Sequence, residues 1–201
     1  MADSTGTHGA GTYEFGPGSG RVLVRTGREG LAARAGHDLT LEITDWLAQV
    51  TTSGEEGGGL AEATVTADLG LGSLTVREGT GGAKPLTDRD RREIQKQVHK
   101  ILGDAARAGF TSHQVIPSST SSAGSPTAGA IEGTLTMHGV SRGIRLEVTS
   151  QEPGRYRGTT VIRQTDFGIT PYSGFFGALK LRDEVTVEFE VTIEGLQNGG
   201  A

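Results

Sequence analysis

The side chains best suited to ligating a metal or moving a proton are five histidines, and their spacing limits what they can do. His37 opens the stretch GHDLTLEITDW (36–46), where strict alternation places it on one face with Leu39, Leu41 and Ile43. An imidazole on an apolar face must satisfy both ring nitrogens or bear a desolvation cost. Two readings follow: a hydrogen bond to the headgroup of a ligand, or a structural bond to a backbone group or nearby hydroxyl. His99 falls in a helical pattern, whereas His113 and His138 fall in separate strand-like segments. No two histidines share a close ligand spacing, so scattered surface residues describe them better than a zinc or copper site. With no cysteine, disulfides and thiolate metal sites are excluded. Neither a metal nor a cofactor is expected.

The remaining reactive patterns are equally bare. Asp166-Phe167-Gly168 matches the kinase magnesium motif in letters only, without a glycine-rich loop, paired lysine or catalytic loop. It reads as a strand end in which Asp166 makes a turn bond, Phe167 packs inward and Gly168 permits the bend. GPGSG (16–20) does not lead from a strand into a helix, so it reads as a hairpin turn rather than a phosphate cradle. The closely spaced Glu188 and Glu190 belong to the wet face of a strand. No set of base, nucleophile and orienting group is legible, so the expectation is a protein that is not an enzyme.

The elements that would position these residues are short segments of period two. They are RVLVRT (21–26), GHDLTLEITDW (36–46), EATVTADL (62–69), SLTV (73–76), GFTSHQVI (109–116), IEGTLTMHG (131–139), GIRLEVTS (143–150), YRGTTVIRQTDFGI (156–169) and EVTVEFEVTI (184–193). In the last, Val185, Val187, Phe189, Val191 and Ile193 alternate with Glu and Thr, the pattern of an antiparallel strand with one buried and one wet face. One helix is predicted over 88–109, with Ile94, Val98, Ile101, Leu102 and Ala105 on one stripe, a cap at Thr87 or Asp88, and a stop at Gly109. Glycine-rich or small polar stretches at 53–61, 78–85 and 117–130 read as connections. Residues 1–11 and 196–201 read as flexible tails around one domain over 12–195. Many short strands and one helix make a mainly β, antiparallel barrel or sandwich. About eight strands closing would give an interior that side chains fill or that holds one small ligand.

Bulk properties narrow the partners. The net charge is −5 with no basic tract, which argues against nucleic acid and equally against electrostatic docking to an anionic membrane. No run approaches a membrane-spanning length, and the N-terminus lacks the basic and apolar regions of a secretory signal, so the expected location is cytoplasmic.

Several stretches together resemble the YceI-like family: AGHDLTLEI (35–43), RAGFTSHQV (107–115), GTLTMHGVSRGIRLEV (133–148), VIRQTDFGI (161–169) and LRDEVTVEFEV (181–191). Their order and spacing agree over about residues 12–195, with Gly143 standing where the family has a proline. The resemblance implies an extended, lipocalin-like antiparallel barrel whose tunnel binds a polyisoprenoid or similar amphiphilic chain. Many relatives are secreted or periplasmic, and this N-terminus departs from that pattern.

The function expected is therefore non-catalytic carriage or sequestration of a long apolar amphiphile: a polyisoprenoid, an isoprenoid quinone or a fatty acyl chain. Candidate ligand-binding residues are His37, Leu39, Leu41, Ile43, Phe110, Leu135, Met137, Phe167, Val187, Phe189 and Val191. Tyr172, Phe175, Phe176 and Leu179 of PYSGFFGALKL (171–181) are added as a gate, or else as a plug, at a barrel mouth. Two alternatives stay open. One is a filled barrel without ligand, acting structurally or pairing by an edge strand into a homodimer. The other is an enzyme acting on a lipid through His37.

Overall fold

The computed structural model describes residues 11–52, 63–103, 106–120, 126–152 and 154–192. The tails expected over 1–11 and 196–201 lie outside these residues, apart from Gly11, which opens the first strand.

Three crossings of the sheet are each broken once. β1 (Gly11–Phe15) runs through 16–19 into β2 (Gly20–Glu29), and β3 (Asp38–Ile43) runs through Thr44 and Asp45 into β4 (Trp46–Thr52). β5 (Thr64–Gly70) passes through a 3-10 turn, Leu71–Ser73, into β6 (Leu74–Thr80). The helix α1 (Asp88–Leu102) is followed by β7 (Arg107–Thr120), β8 (Pro126–Met137), β9 (Val140–Glu152), β10 (Arg155–Arg163), the two-residue β11 (Ser173–Gly174) and β12 (Leu179–Thr192).

All ladders are antiparallel, in the order β1-β4-β5-β7-β8-β9-β10-β12-β2-β3-β6, with β11 beside β12. Since β1 continues into β2, β3 into β4 and β5 into β6, the chain itself joins the two ends of that order. Eight crossings, neighbours in sequence, make the ring of an up-and-down barrel. The 12 ladder strands exceed the expected eight because three crossings are kinked and the two-residue β11 adds one more.

The kinks are stitched by side chains. Ser73 Oγ accepts from the N–H groups of Thr44 (3.0 Å) and Asp45 (2.9 Å) and donates to Gly70 O (2.7 Å). Gly70 N donates to Asp45 O at 2.8 Å. These bonds replace ladder bonds lost where extra residues bulge. GPGSG is accordingly a bend within one continuing crossing and not a hairpin turn, since β1 pairs with β4 and β2 with β3 and β12.

α1 begins with a reciprocal capping box between Thr87 and Asp90. It ends earlier than predicted, because Gly103 takes φ 85° and closes the helix with a bond to His99 O. Ile94, Val98, Ile101 and Leu102 pack on the core, as their spacing requires. The polar side of the contact covers the free edge of β6. Arg91 donates to the carbonyls of Val76 (3.2 Å) and Arg77 (2.8 Å), and Gln95 donates to Leu74 O.

The stretch 117–130, read as a connection, is largely strand. β7 continues to Thr120, and β8 starts at Pro126, paired through Pro117↔Gly129 and Thr120↔Pro126. Between β9 and β10, pairing runs from Arg155↔Glu152 only to Thr159↔Glu147. Beyond that point Val140–Leu146 is bonded to β8 alone and Thr160–Arg163 to β12 alone, which leaves an unzipped seam. The 3-10 turn Gln164–Phe167 packs at this seam, with Phe167 only 2% exposed.

Candidate ligand cavity

The barrel encloses a cavity of about 770 Å³, walled by inward residues of β1 to β10 and β12 and by Val98, Ile101 and Leu102 of α1. That volume lies in the range of small-molecule sites, and its walls are overwhelmingly apolar. One buried hydroxyl of its wall is occupied: Thr26 Oγ1 accepts from Leu39 N at 3.3 Å. Nearby, Ser112 Oγ accepts from Val65 N at 2.7 Å. No buried side-chain nitrogen or oxygen lacks a partner among the described residues.

Glycine notches help to keep the interior hollow. Gly158 sits opposite Phe189 on β12, and a Cβ at Gly158 would lie 2.1 Å from the Phe189 ring. Phe110 likewise lies close over Gly133, where a Cβ would meet its ring at 2.5 Å. Both rings therefore lie flat in the wall, on ground that any larger residue would occupy.

Alternation identified the inward faces of the strands. Leu41 and Ile43 of β3, Phe110 of β7, and Leu135 and Met137 of β8 line the cavity. Val187, Phe189 and Val191 of β12 line it too, together with Tyr172 of the loop that precedes β11. The other candidates lie elsewhere. Leu39 is buried in the core but is not part of the lining, and Phe167 is buried beneath the seam. Leu179 is buried against Gly36, where a Cβ would approach its Cδ1 to 2.7 Å. His37 precedes β3 and turns outward, its Nε2 lying 2.7 Å from Lys84 O. Of the two readings of its imidazole, the structural bond is the one observed. Phe175 and Phe176 neither gate nor plug the cavity: they are 64% and 113% exposed, with φ of 50° and 55°.

The other reactive patterns are also resolved. His113 bonds Thr134 Oγ1 (3.0 Å), His99 bonds Gln95 (2.9 Å), and His138 forms the β8–β9 turn at φ 52°. No group of three potential metal ligands converges among the described residues. In the Asp166-Phe167-Gly168 triplet, Gly168 takes φ 72° and Phe167 packs inward as expected. The turn bond comes from Asp183 instead of Asp166. Asp183 accepts from Thr165 N (2.9 Å) and Thr165 Oγ1 (2.6 Å), which holds its carboxyl below the usual value.

Several polar lining residues escaped the sequence reading, among them Tyr13, Tyr156 and Thr160. Tyr156 lines the cavity, and burial raises its phenol above the ordinary value. Its hydroxyl has no hydrogen-bond partner among the described residues. The signal was its register: Tyr156 sits directly across from Val191, and cross-strand partners share a face. The wall is thinnest at the seam, where Ile144, Thr160 and Ile162 line both the cavity and an outer groove of about 440 Å³.

A family model described as YceI-like domain matches residues 37–193. Among solved structures, BcnA of Burkholderia cenocepacia aligns with a TM-score of 0.55 at 16% identity, over 87% of this chain and 96% of that one. A mutant of the CJ YCEI protein prepared for nanotechnology applications aligns with a TM-score of 0.43 at 14% identity, over 77% and 84% of the two chains. A search of curated proteins returns no match.

Proposed function

The chain belongs to the YceI-like domain family, and from that membership together with the cavity we propose that it binds a long apolar amphiphile inside the barrel and carries or sequesters it without chemical change. The observation that carries this reading is the continuous apolar lining, which extends from Tyr156 and Val191 at one end of the strands to Tyr172 and Leu181 at the other. A polyisoprenoid, an isoprenoid quinone or a fatty acyl chain fits such a wall. Each buried methylene contributes about 0.8 kcal/mol, so binding is strong and weakly selective. Hydroxyls of the lining, among them those of Tyr13, Tyr156 and Thr160, are polar handles available to a headgroup or to an oxygen along the chain.

Native mass spectrometry of the protein as purified, followed by solvent extraction, tests the reading. One apolar chain per barrel is the expected result. An empty barrel that takes up no isoprenoid quinone or fatty acid on incubation would overturn it.

A further inference from the structure

The charge of the cavity wall is as informative as its hydrophobicity. Among the described residues the lining contains no lysine, arginine or histidine, and its single charged side chain is the carboxylate of Glu152. Every lysine and arginine of the sequence lies among the described residues, so neither type of cation is left to be added to the wall.

Strand alternation produces this segregation. On β10, Tyr156, Thr160 and Ile162 line the cavity, whereas Arg157 and Arg163 fall on the opposite face. Arg157 lies 3.3 Å from Glu190, and Arg163 lies 3.3 Å from Glu184. On β2, Val22, Val24 and Thr26 line the cavity, while Arg21 and Arg25 pair away from it with Glu190 (3.0 Å) and Glu188 (2.8 Å).

Glu152 ends β9, and its side chain is 69% exposed, which sets a negative charge where the lining meets solvent. Arg155 stands 3.7 Å from it but donates to Glu190 at 2.7 Å, and Arg155 is not part of the lining. What the interior offers a polar headgroup is neutral: the phenols of Tyr13, Tyr156 and Tyr172, and the hydroxyl of Thr160.

A carboxylate or phosphate drawn inside this wall would lose its hydration and gain no counter-charge. Left in water at the end of β9, it would face Glu152 and a molecule of net charge −5. An uncharged headgroup bears neither cost, since a hydrogen bond to a phenol or hydroxyl satisfies it.

From this arrangement we infer that the cavity selects by the charge of the headgroup: it takes uncharged long-chain amphiphiles, such as alcohols, quinones or esters, and discriminates against the same chains carrying a carboxylate or a phosphate. The inference rests on the reading that a long chain occupies the barrel, and it names which members of that class the wall favours.

Trp46 lines the cavity and is the sole tryptophan of the chain, so its emission reports what enters. Geranylgeraniol and geranylgeranyl phosphate share one chain and differ in headgroup, as do oleyl alcohol and oleate. Titration of the full chain with each, at mildly alkaline pH, should give the alcohol an affinity at least about tenfold higher than its anionic counterpart in both pairs. Glu152→Lys, a change at an exposed position, should narrow both ratios by about threefold or more. Anions that bind as tightly as the alcohols would overturn the inference and leave the carrier reading in place, as would ratios that Glu152→Lys leaves unmoved. Alcohols and anions that both fail to enter would remove the carrier reading, and the inference with it.

Discussion

Gly158 and Gly133 make room for Phe189 and Phe110, so the volume of the cavity depends on two absent side chains. Gly158→Val would force the Phe189 ring off the wall into the cavity. Binding of a long-chain probe should fall by at least about tenfold, with a stability loss of about 1–3 kcal/mol from overpacking. Titration with a fluorescent fatty acid and urea unfolding measure the two effects. Leu135→Arg and Phe189→Arg should abolish uptake in the folded fraction, whereas Glu188→Gln should leave it unchanged. Glu188 faces outward to Arg25 at 2.8 Å, an exposed pair of little energetic weight. If Glu188→Gln were the damaging change in the same titration, the assignment of faces would be inverted. Which residues face inward was legible wherever alternation was strict, as in β3 and β12. The outward turn of His37 was not, because alternation holds only inside a ladder and His37 stands one residue before it.

The elements were legible in kind more than in extent. The amphipathic stripe of α1 was plain, but its end was set by Gly103, whose positive φ no periodicity reports. The kinks in the first three crossings were hidden because they depend on Ser73 reaching Thr44 and Asp45 across 28 or more residues of sequence. The strand ends at 117–120 and 126–130 were hidden by small polar residues, whose pairing is imposed by the rest of the hairpin. α1 also has a role beyond packing, since Arg91 and Gln95 occupy the outer carbonyls of β6. Replacing both by Ala should leave the barrel folded and bare that edge to other chains. Light scattering during incubation at elevated temperature should show faster aggregation than in Arg34→Ala, a control of equal charge loss between β2 and β3.

At the scale of the molecule, closure by covalent continuity was beyond sequence reading, since it requires knowing that β1 and β2, β3 and β4, and β5 and β6 keep one direction through a bend. The surface of this ring carries carboxylates that favour their charged forms. Asp183 is held down by its bonds from Thr165, Asp90 by the backbone and hydroxyl of Thr87, and Glu190 by Arg155 and Arg21. A depressed carboxylate stabilises the fold above its unfolded value, and that contribution vanishes as pH falls through the folded value. Urea midpoints should therefore hold steady at neutral pH and decline once the pH drops below the ordinary carboxylate range. Asp183→Asn should flatten part of that decline. An unchanged profile would show that the Thr165 turn contributes nothing to acid sensitivity.

A tube hydrogen-bonded around its whole girth has a fixed circumference, because widening it means tearing ladders. Here β9 and β10 part company after Thr159↔Glu147, so the cylinder is slit along part of its length like a split ring. A guest with bulky branches can spring that slit open at the cost of displacing Phe167 and without sacrificing a single interstrand bond. Tolerance for girth is thus local, and it belongs to the stretch flanked by Ile144 and Ile162.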